Sequence, residues 1–361
     1  VRRRRHLLRA ALVTLLALIV LYVVVGSFVT VPEYAITPGA ALPVSRVVRI
    51  GKARTKSSAA STIDYTYVYV GRVLLIDYLP DLLRSNIELD PAQEILGGIP
   101  SSELAAEGAL EMDQSQQAAK VAALRALGYH LTGHEVGAAV AEVLPGSPAG
   151  RVLSIAEVIT AVDGRATPTP SAVVKAIERE RPGALLKLTV ETLGVWRPHV
   201  VDLRLGERTV HGRREAYVGI AVLDQPVERY ALPVPVAIAV GDLGGPSAGL
   251  AMTLGIIATA TGQDLTGGIQ VAATGTISPD GKVGPVGGVA EKAVAVTRAG
   301  AKVFLVPPEE YGRARAHVGH GVRVVAVDSL DQALTVLRKL RCGSDPSCPL
   351  VPAERIAGLE S

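Results

Sequence analysis

Two segments of this chain carry side chains whose types and spacing can do covalent chemistry. In GDLGGPSAGLAMTLGI, glycines flank Pro246 and Ser247 and an apolar, Ala-rich run follows without a break. That pattern predicts a serine on a tight turn that opens a helix, with Gly245 and Pro246 shaping the turn. Such a placement exposes the hydroxyl and aims free backbone N–H groups at it, as an oxyanion site requires. The second segment runs from a Gly- and Pro-rich loop, Gly281 to Gly288, into a helix carrying Lys292. Ala293, Val294, Val296 and Thr297 give that helix a mostly apolar wall. A solvated lysine, with a pKa of about 10.4, is protonated at neutral pH and accepts no proton from serine. Burial disfavours the ammonium and turns the residue into a general base. The residues alone leave two plainer readings open: a serine that merely caps a helix, and a lysine paired with a glutamate at the surface.

A series of motifs then follows in fixed order: GGPSAGLAM, TGTI, G-x-V-x-x-V-G-G, EK, RAG and VP. Together they resemble the proteolytic domain of the Lon family of serine proteases, whose dyad is serine plus lysine. The resemblance implies Ser247 as nucleophile, Lys292 as base, and Thr274 as a hydroxyl that helps orient the lysine amine. It also implies a possible ring of six subunits. Two positions depart from Lon proteins that carry their own ATPase. Gly244 stands where they usually have an acidic residue three before the serine, leaving Asp242 as the nearby carboxylate, and Thr276 stands where they often have glutamate.

Several elements must position these residues. The 361 residues suffice for two or three packed units, and the net charge is only +3. Arg2, Arg3, Arg4, Arg5 and Arg9 precede a charge-free stretch from Ala10 to Val31. That length predicts a retained membrane-spanning helix rather than a cleaved signal peptide, since no A-x-A-like site follows. With Glu33 the first acidic residue beyond, the positive-inside rule puts the N-terminus in the cytoplasm and the rest outside the cell membrane. Cys342 and Cys348, the chain's two cysteines, flank a short loop and fit a structural disulfide in an oxidising compartment.

The expected organisation is a basic stub and membrane helix over 1–31, a strand and helix region over 32–130, a PDZ-like unit over 131–207, a Lon-type catalytic domain over 208–340, and a tail over 341–361. In the second region IDYTYVYVGRVLLIDYL reads as strand and Glu103 to Leu127 as helix. In the third, a strand at Ala138 to Val143, the turn PGSPA, a strand at Val158 to Val162, a helix from Ser171 to Arg179 and a strand at Leu186 to Glu191 resemble a bacterial PDZ domain. The resemblance implies binding of an extended peptide at a sheet edge. Ala156 and Glu157 replace a common Gly-Asp, and LTGHEVG and YVGI both offer backbone amides for a terminal carboxylate. Helix and strand alternate beyond Lys292, predicting a mixed α/β catalytic domain.

Other classes fit poorly. Gly281 and Lys282 are followed by Val283, so the Walker A phosphate loop is missing and ATP independence is expected. The seven histidines lie outside any nucleophile-elbow context. Two thiols without a nearby histidine leave a metal shell half empty, and neither a metal nor a cofactor is expected. Nucleic acid is not an expected partner, because the basic cluster abuts the apolar stretch and no aromatic platform appears. The expected function is therefore a membrane-anchored, ATP-independent serine endopeptidase acting on polypeptide substrates, exported or membrane proteins. The alternative is a catalytically silent PDZ scaffold at the membrane.

Overall fold

The computed structural model describes residues 2–51, 62–84, 86–96, 104–193, 197–210, 212–345, 347–349 and 351. The first third of the chain runs α1 (Arg2–Gly26), β1 (Thr30–Pro43), β2 (Val48–Ile50), β3 (Ile63–Leu74), α2 (Leu75–Leu82), β4 (Glu88–Pro91), α3 (Ala92–Leu96) and α4 (Leu104–Ala126). Next come β5 (Gly133–Val143), β6 (Glu157–Val162), β7 (Arg165–Ala166), α5 (Pro170–Glu178), β8 (Leu185–Thr192), β9 (Pro198–Arg204), β10 (Gly206–Val210), β11 (Arg213–Tyr217), β12 (Ile220–Val222) and β13 (Val227–Tyr230). The chain ends with β14 (Val236–Ile238), α6 (Gly249–Thr261), β15 (Val271–Ala273), β16 (Thr276–Ile277), β17 (Val283–Gly284), α7 (Val289–Ala299), β18 (Val303–Val306), α8 (Tyr311–His317), β19 (Arg323–Ala326) and α9 (Leu330–Cys342).

The mixed α/β expectation holds, but the segments combine differently from their order. One six-stranded sheet has the order β19-β18-β15-β3-β1-β4. Its centre is the parallel pairing of β3 with β15, Ile63 opposite Val271 and Tyr65 opposite Ala273. Residues 32–130 therefore do not form a region of their own: their strands and α4 complete the unit that carries Ser247 and Lys292. Strand alternation assigns the two faces. Val271, Ala273, Val303 and Leu305 pack with α6, α4 and α9, whereas Ala272, Phe304 and Val306 pack with α7 and α8. α6 is buried on nearly every side, as an all-apolar helix must be, and it stops at Gly262 with φ 65°.

Between α4 and β14 lies a second unit with its own core, including Val140, Ile159, Val173, Leu186 and Leu188. The strands and helix expected for the PDZ-like segment are present as β5, β6, α5 and β8, and α5 is capped by Thr169, whose hydroxyl accepts from the Ala172 N–H. Its sheet also takes in β12 and β13, both paired to β5, so the unit extends to Tyr230 rather than ending at 207. Ala156, replacing a common glycine, sits at φ 70° in the left-handed region.

The expected membrane-crossing helix over 10–31 is not supported. α1 ends at Gly26, where the Ser27 hydroxyl donates to the Val23 carbonyl, and β-branched Thr30 and Val31 open β1. No helix among the described residues is long and apolar enough to cross a membrane. The side chains of Arg2–Arg5 and Arg9, the helix start at Glu103, and most of the tail, 352–361, lie outside the described residues. Cys342 and Cys348 are joined by a disulfide at the end of α9.

Candidate active site

Ser247 stands at the end of a loop that three other elements hold in place. On one side α4 approaches so closely that a Cβ on Gly244 would meet the Gly108 backbone at 3.0 Å. The Gly245 N–H donates to the Gly108 carbonyl at 2.7 Å, and the Ser115 hydroxyl donates to the Pro246 carbonyl at 2.9 Å. On the other side the Gly275 N–H and the Thr274 hydroxyl both donate to the Ser247 carbonyl, at 2.9 and 3.1 Å. A Cβ on Gly249 would meet Ile277 Cγ2 at 2.8 Å and Ser115 Oγ at 2.9 Å, so only glycine lets α4, α6 and β16 close together here.

The capping reading of the serine does not hold. The residue in the N-cap position of α6 is Ala248, with no side-chain cap bond, and the half-buried Ser247 hydroxyl makes no hydrogen bond among the described residues. The N–H groups of Ser247 and Ala248 likewise donate to no backbone carbonyl among the described residues. A free hydroxyl beside free amides at a helix N-terminus can present a nucleophile and receive an oxyanion.

Lys292 lies on α7, on the opposite face of the sheet. Gly288, at φ 63°, starts that helix against Val68 and Ile36, which a Cβ would meet at 3.1 and 3.2 Å. Lys292 is 2% exposed, one of the largest fully buried side chains, and no ion pair or hydrogen bond to its amine is present among the described residues. The surface-pair reading therefore does not hold either. Burial pushes its pKa down from 10.5 to about 7, against the carboxylates of Glu310 and Glu291, which pull it back up. At pH 7 about half of such lysines are neutral, against roughly three in ten thousand when solvated. Glu291 is also buried, with Oε2 unpartnered, and its carboxyl is raised by burial above all.

The structure brings Thr274 to Ser247. Thr274 is fully buried at the end of β15, its N–H donating to the Leu305 carbonyl and its hydroxyl to the Ser247 carbonyl. It makes no hydrogen bond with the lysine amine, and neither does Ser247. The ends of β15 and β18 link the two sides: a Cβ on Gly275 would lie 3.7 Å from Pro307, three residues before Glu310, whose charge acts on Lys292. Asp242 is exposed and makes no bond to the serine loop among the described residues.

Sequence reasoning misses Gly108, Ser115, Glu291 and Glu310. Gly108 and Ser115 are seven residues apart, two helical turns, and so share one face. That spacing of small residues is the one signal that points to them.

An open cleft of about 580 Å³ adjoins the serine loop, lined by α4, by Pro246, by Thr276 and Ile277 of β16, and by the β13 edge of the second unit. A smaller groove of about 120 Å³ lies between α5 and residues 216–222. It contains the YVGI segment, where Gly219 at φ 84° leaves no room for a side chain against Ser147.

Residues 234–339 match the family model described as the Lon protease (S16) C-terminal proteolytic domain. The chain is 39% identical over 93 residues to the Lon protease of Haemophilus influenzae, covering 25% of this chain and 11% of that protein. It is 34% identical over 113 residues to the Lon protease of Halothermothrix orenii, covering 30% of this chain and 14% of that protein. The chain thus spans only a small part of the length of these relatives. Among solved structures, the PDZ domain of the SdrC-like protein from Listeria monocytogenes is similar at 24% identity and a TM-score of 0.22, over 25% of this chain and 90% of that one. The corresponding domain from Listeria innocua is similar at 19% identity and a TM-score of 0.21, over 24% and 92%.

Proposed function

We propose that this chain is a serine endopeptidase held at a membrane and acting without ATP on exported or membrane proteins. In this reading Ser247 Oγ attacks the peptide carbonyl while the neutral amine of Lys292 takes its proton. The N–H groups at the start of α6 receive the negative charge that develops on the carbonyl oxygen. The lysine then passes the proton to the leaving amine, and an acyl-enzyme on Ser247 remains. A water molecule, deprotonated by the same lysine, attacks the ester, and the proton returns to the serine. The observation that carries the reading is the burial of Lys292 without a hydrogen bond or ion-pair partner to its amine, with its pKa pushed down to about 7. The match of residues 234–339 to the Lon proteolytic domain supports it.

Membrane attachment through residues 10–31 rests on α1, which exposes Leu12, Val13, Leu15, Leu16 and Leu18 around its circumference. Substrate recognition by the PDZ-like unit rests on the groove beside α5. The test uses the full chain in neutral detergent and an unfolded protein substrate, with and without ATP. Cleavage equal in both conditions and abolished by Ser247→Ala is the expected result. If more than a few per cent of the activity survived in Ser247→Ala, the nucleophile would lie elsewhere. Protease added to cells stripped of their outer wall should digest the region after Val31, and protection of that region would overturn the topology.

A further inference from the structure

The open cleft beside the serine loop has an uneven charge. Its carboxylates are Glu111 from α4, Glu135 from β5 and Glu228 from β13, and its lining among the described residues includes no lysine, arginine or histidine. Glu135 and Glu228 are register partners on adjacent antiparallel strands. Like charges directly opposite on a sheet are destabilising, so the fold gains nothing from this pair. Neither glutamate has an ion-pair partner among the described residues, and Glu228 accepts only from the Tyr230 hydroxyl. Arg125 of α4 stands at the edge of the cleft, over the Tyr230 ring and donating to the carbonyls of Leu131 and Pro279, and among the described residues it forms no ion pair with any of the three carboxylates. Glu111 is also uncompensated, its carboxyl raised by burial and by Glu107. A metal ion is not the missing charge, since no cluster of metal-ligating side chains is present among the described residues.

The shape of the site selects among organic cations. The cleft is open to solvent, has apolar walls at Leu193, Leu223, Pro226 and Ile277, and includes in its lining Pro246, the residue before Ser247. Those features suit an extended chain with apolar stems and cationic ends, as lysine and arginine side chains are. We propose that this cleft binds an extended polypeptide segment bearing lysine or arginine side chains, and that Glu135 and Glu228 set the preference. The position of the cleft along a substrate rests on the reading of Ser247 as nucleophile; the binding itself does not. The PDZ-like unit would then form one wall of the site next to the bond to be cut, in addition to its own groove.

The test is made on the full-length Ser247→Ala chain in neutral detergent, which binds without cleaving. A labelled, unstructured Gly-Ser peptide carrying two lysines is compared by fluorescence anisotropy with the same peptide carrying two glutamines. The lysine peptide should bind more tightly, and added salt should reduce its advantage. Glu135→Gln with Glu228→Gln should lower the lysine-to-glutamine preference by roughly three- to tenfold, the range for two partly screened ion pairs. Equal binding of both peptides, a preference insensitive to salt, or a preference that the double variant keeps would overturn the proposal. The salt dependence needs no variant, so it decides the question even where the double variant misfolds. The same two peptides given to the unmutated chain separate the two readings. A binding preference without cleavage of either peptide refutes the peptidase and leaves the cleft standing. Cleavage of both without a binding preference does the reverse.

Discussion

Replacing Lys292 by methionine should stabilise the protein while removing its chemistry. Methionine is an unbranched side chain close to lysine in length, so a site that is 2% exposed stays filled. What disappears is a group that burial holds at about 7 instead of 10.5. In the unfolded chain the lysine keeps its proton up to a pH of about 10.4, whereas in the folded chain it loses the proton near 7. Between those values the unfolded state binds more protons, so the stability of the unmutated protein rises with pH by about 1.4 kcal/mol per unit. At and below the folded value the full penalty applies, on the order of 5 kcal/mol as a ceiling, because relaxation around a buried ammonium reduces it. Lys292→Met carries no such penalty. Its advantage should be largest at about pH 7 and below, shrink steadily as pH rises, and vanish at about pH 10. Urea unfolding followed by circular dichroism, at steps across that window, reads the difference directly. A Lys292→Met variant less stable than the parent at neutral pH, or an advantage that does not change with pH, would refute the desolvated lysine and with it the proposed base.

Other outcomes follow from the same geometry. The kcat/KM for peptide hydrolysis should rise through a pH of about 7 with a single-proton slope, as Lys292 loses its proton, and Lys292→Arg should be inactive because arginine keeps its proton; a flat profile across neutrality would contradict the base role. Ser115→Ala should lower stability by about 1 kcal/mol and lower kcat more than it changes KM, because it releases the Pro246 carbonyl that holds the serine loop. Unchanged kcat in that variant would mean that the bonds to Gly108, Thr274 and Gly275 suffice to hold the loop. Removing the second unit, with its ends at Gly133 and Tyr230 joined by a short turn, should leave a folded peptidase, since those two residues are already strand partners. Its KM for protein substrates should rise far more than its kcat on a short peptide falls, and equal loss on both would assign the unit a structural role.

The parts of this molecule visible in its sequence are those fixed by local rules. The glycine-flanked Ser247, the apolar wall around Lys292, and the alternating strands of the second unit each depend on a few neighbouring residues. Pairing across distance is different. IDYTYVYVGRVLLIDYL reads as strand from its β-branched and aromatic residues, yet its last five residues open α2, and nothing in the pattern says that Val271–Ala273 lies beside the strand part. The same gap hides the reach of β12 and β13 back to β5, because period-two alternation specifies a face and not a partner. The end of α1 is obscured for another reason. Hydropathy does not distinguish a helix from an apolar strand, so Thr30 and Val31 count with the run that precedes them. The bond from the Thr274 hydroxyl to the Ser247 carbonyl is likewise a long-range contact that residue type alone does not name.

The proposed recognition and chemistry would meet on α4, a helix whose sequence alone suggests no role. Its Gly108 and Ser115 hold the loop that presents Ser247, while Glu111, Gln114 and Gln117 form one side of the cleft. Arg125, near its C-terminal end, contacts the Tyr230 ring and the Leu131 carbonyl, where the chain enters and leaves the inserted unit. One rigid element of 23 residues therefore touches the nucleophile loop, the cleft and the base of the insertion. In the proposed reading, a cleft walled by both units lets docking set the distance from bound residue to serine. Displacing α4 by a fraction of an ångström would alter all three contacts at once, because Gly244 and Gly249 leave no slack for a side chain at either approach. If the insertion binds substrate as proposed, packing through α4 alone connects it to the serine loop.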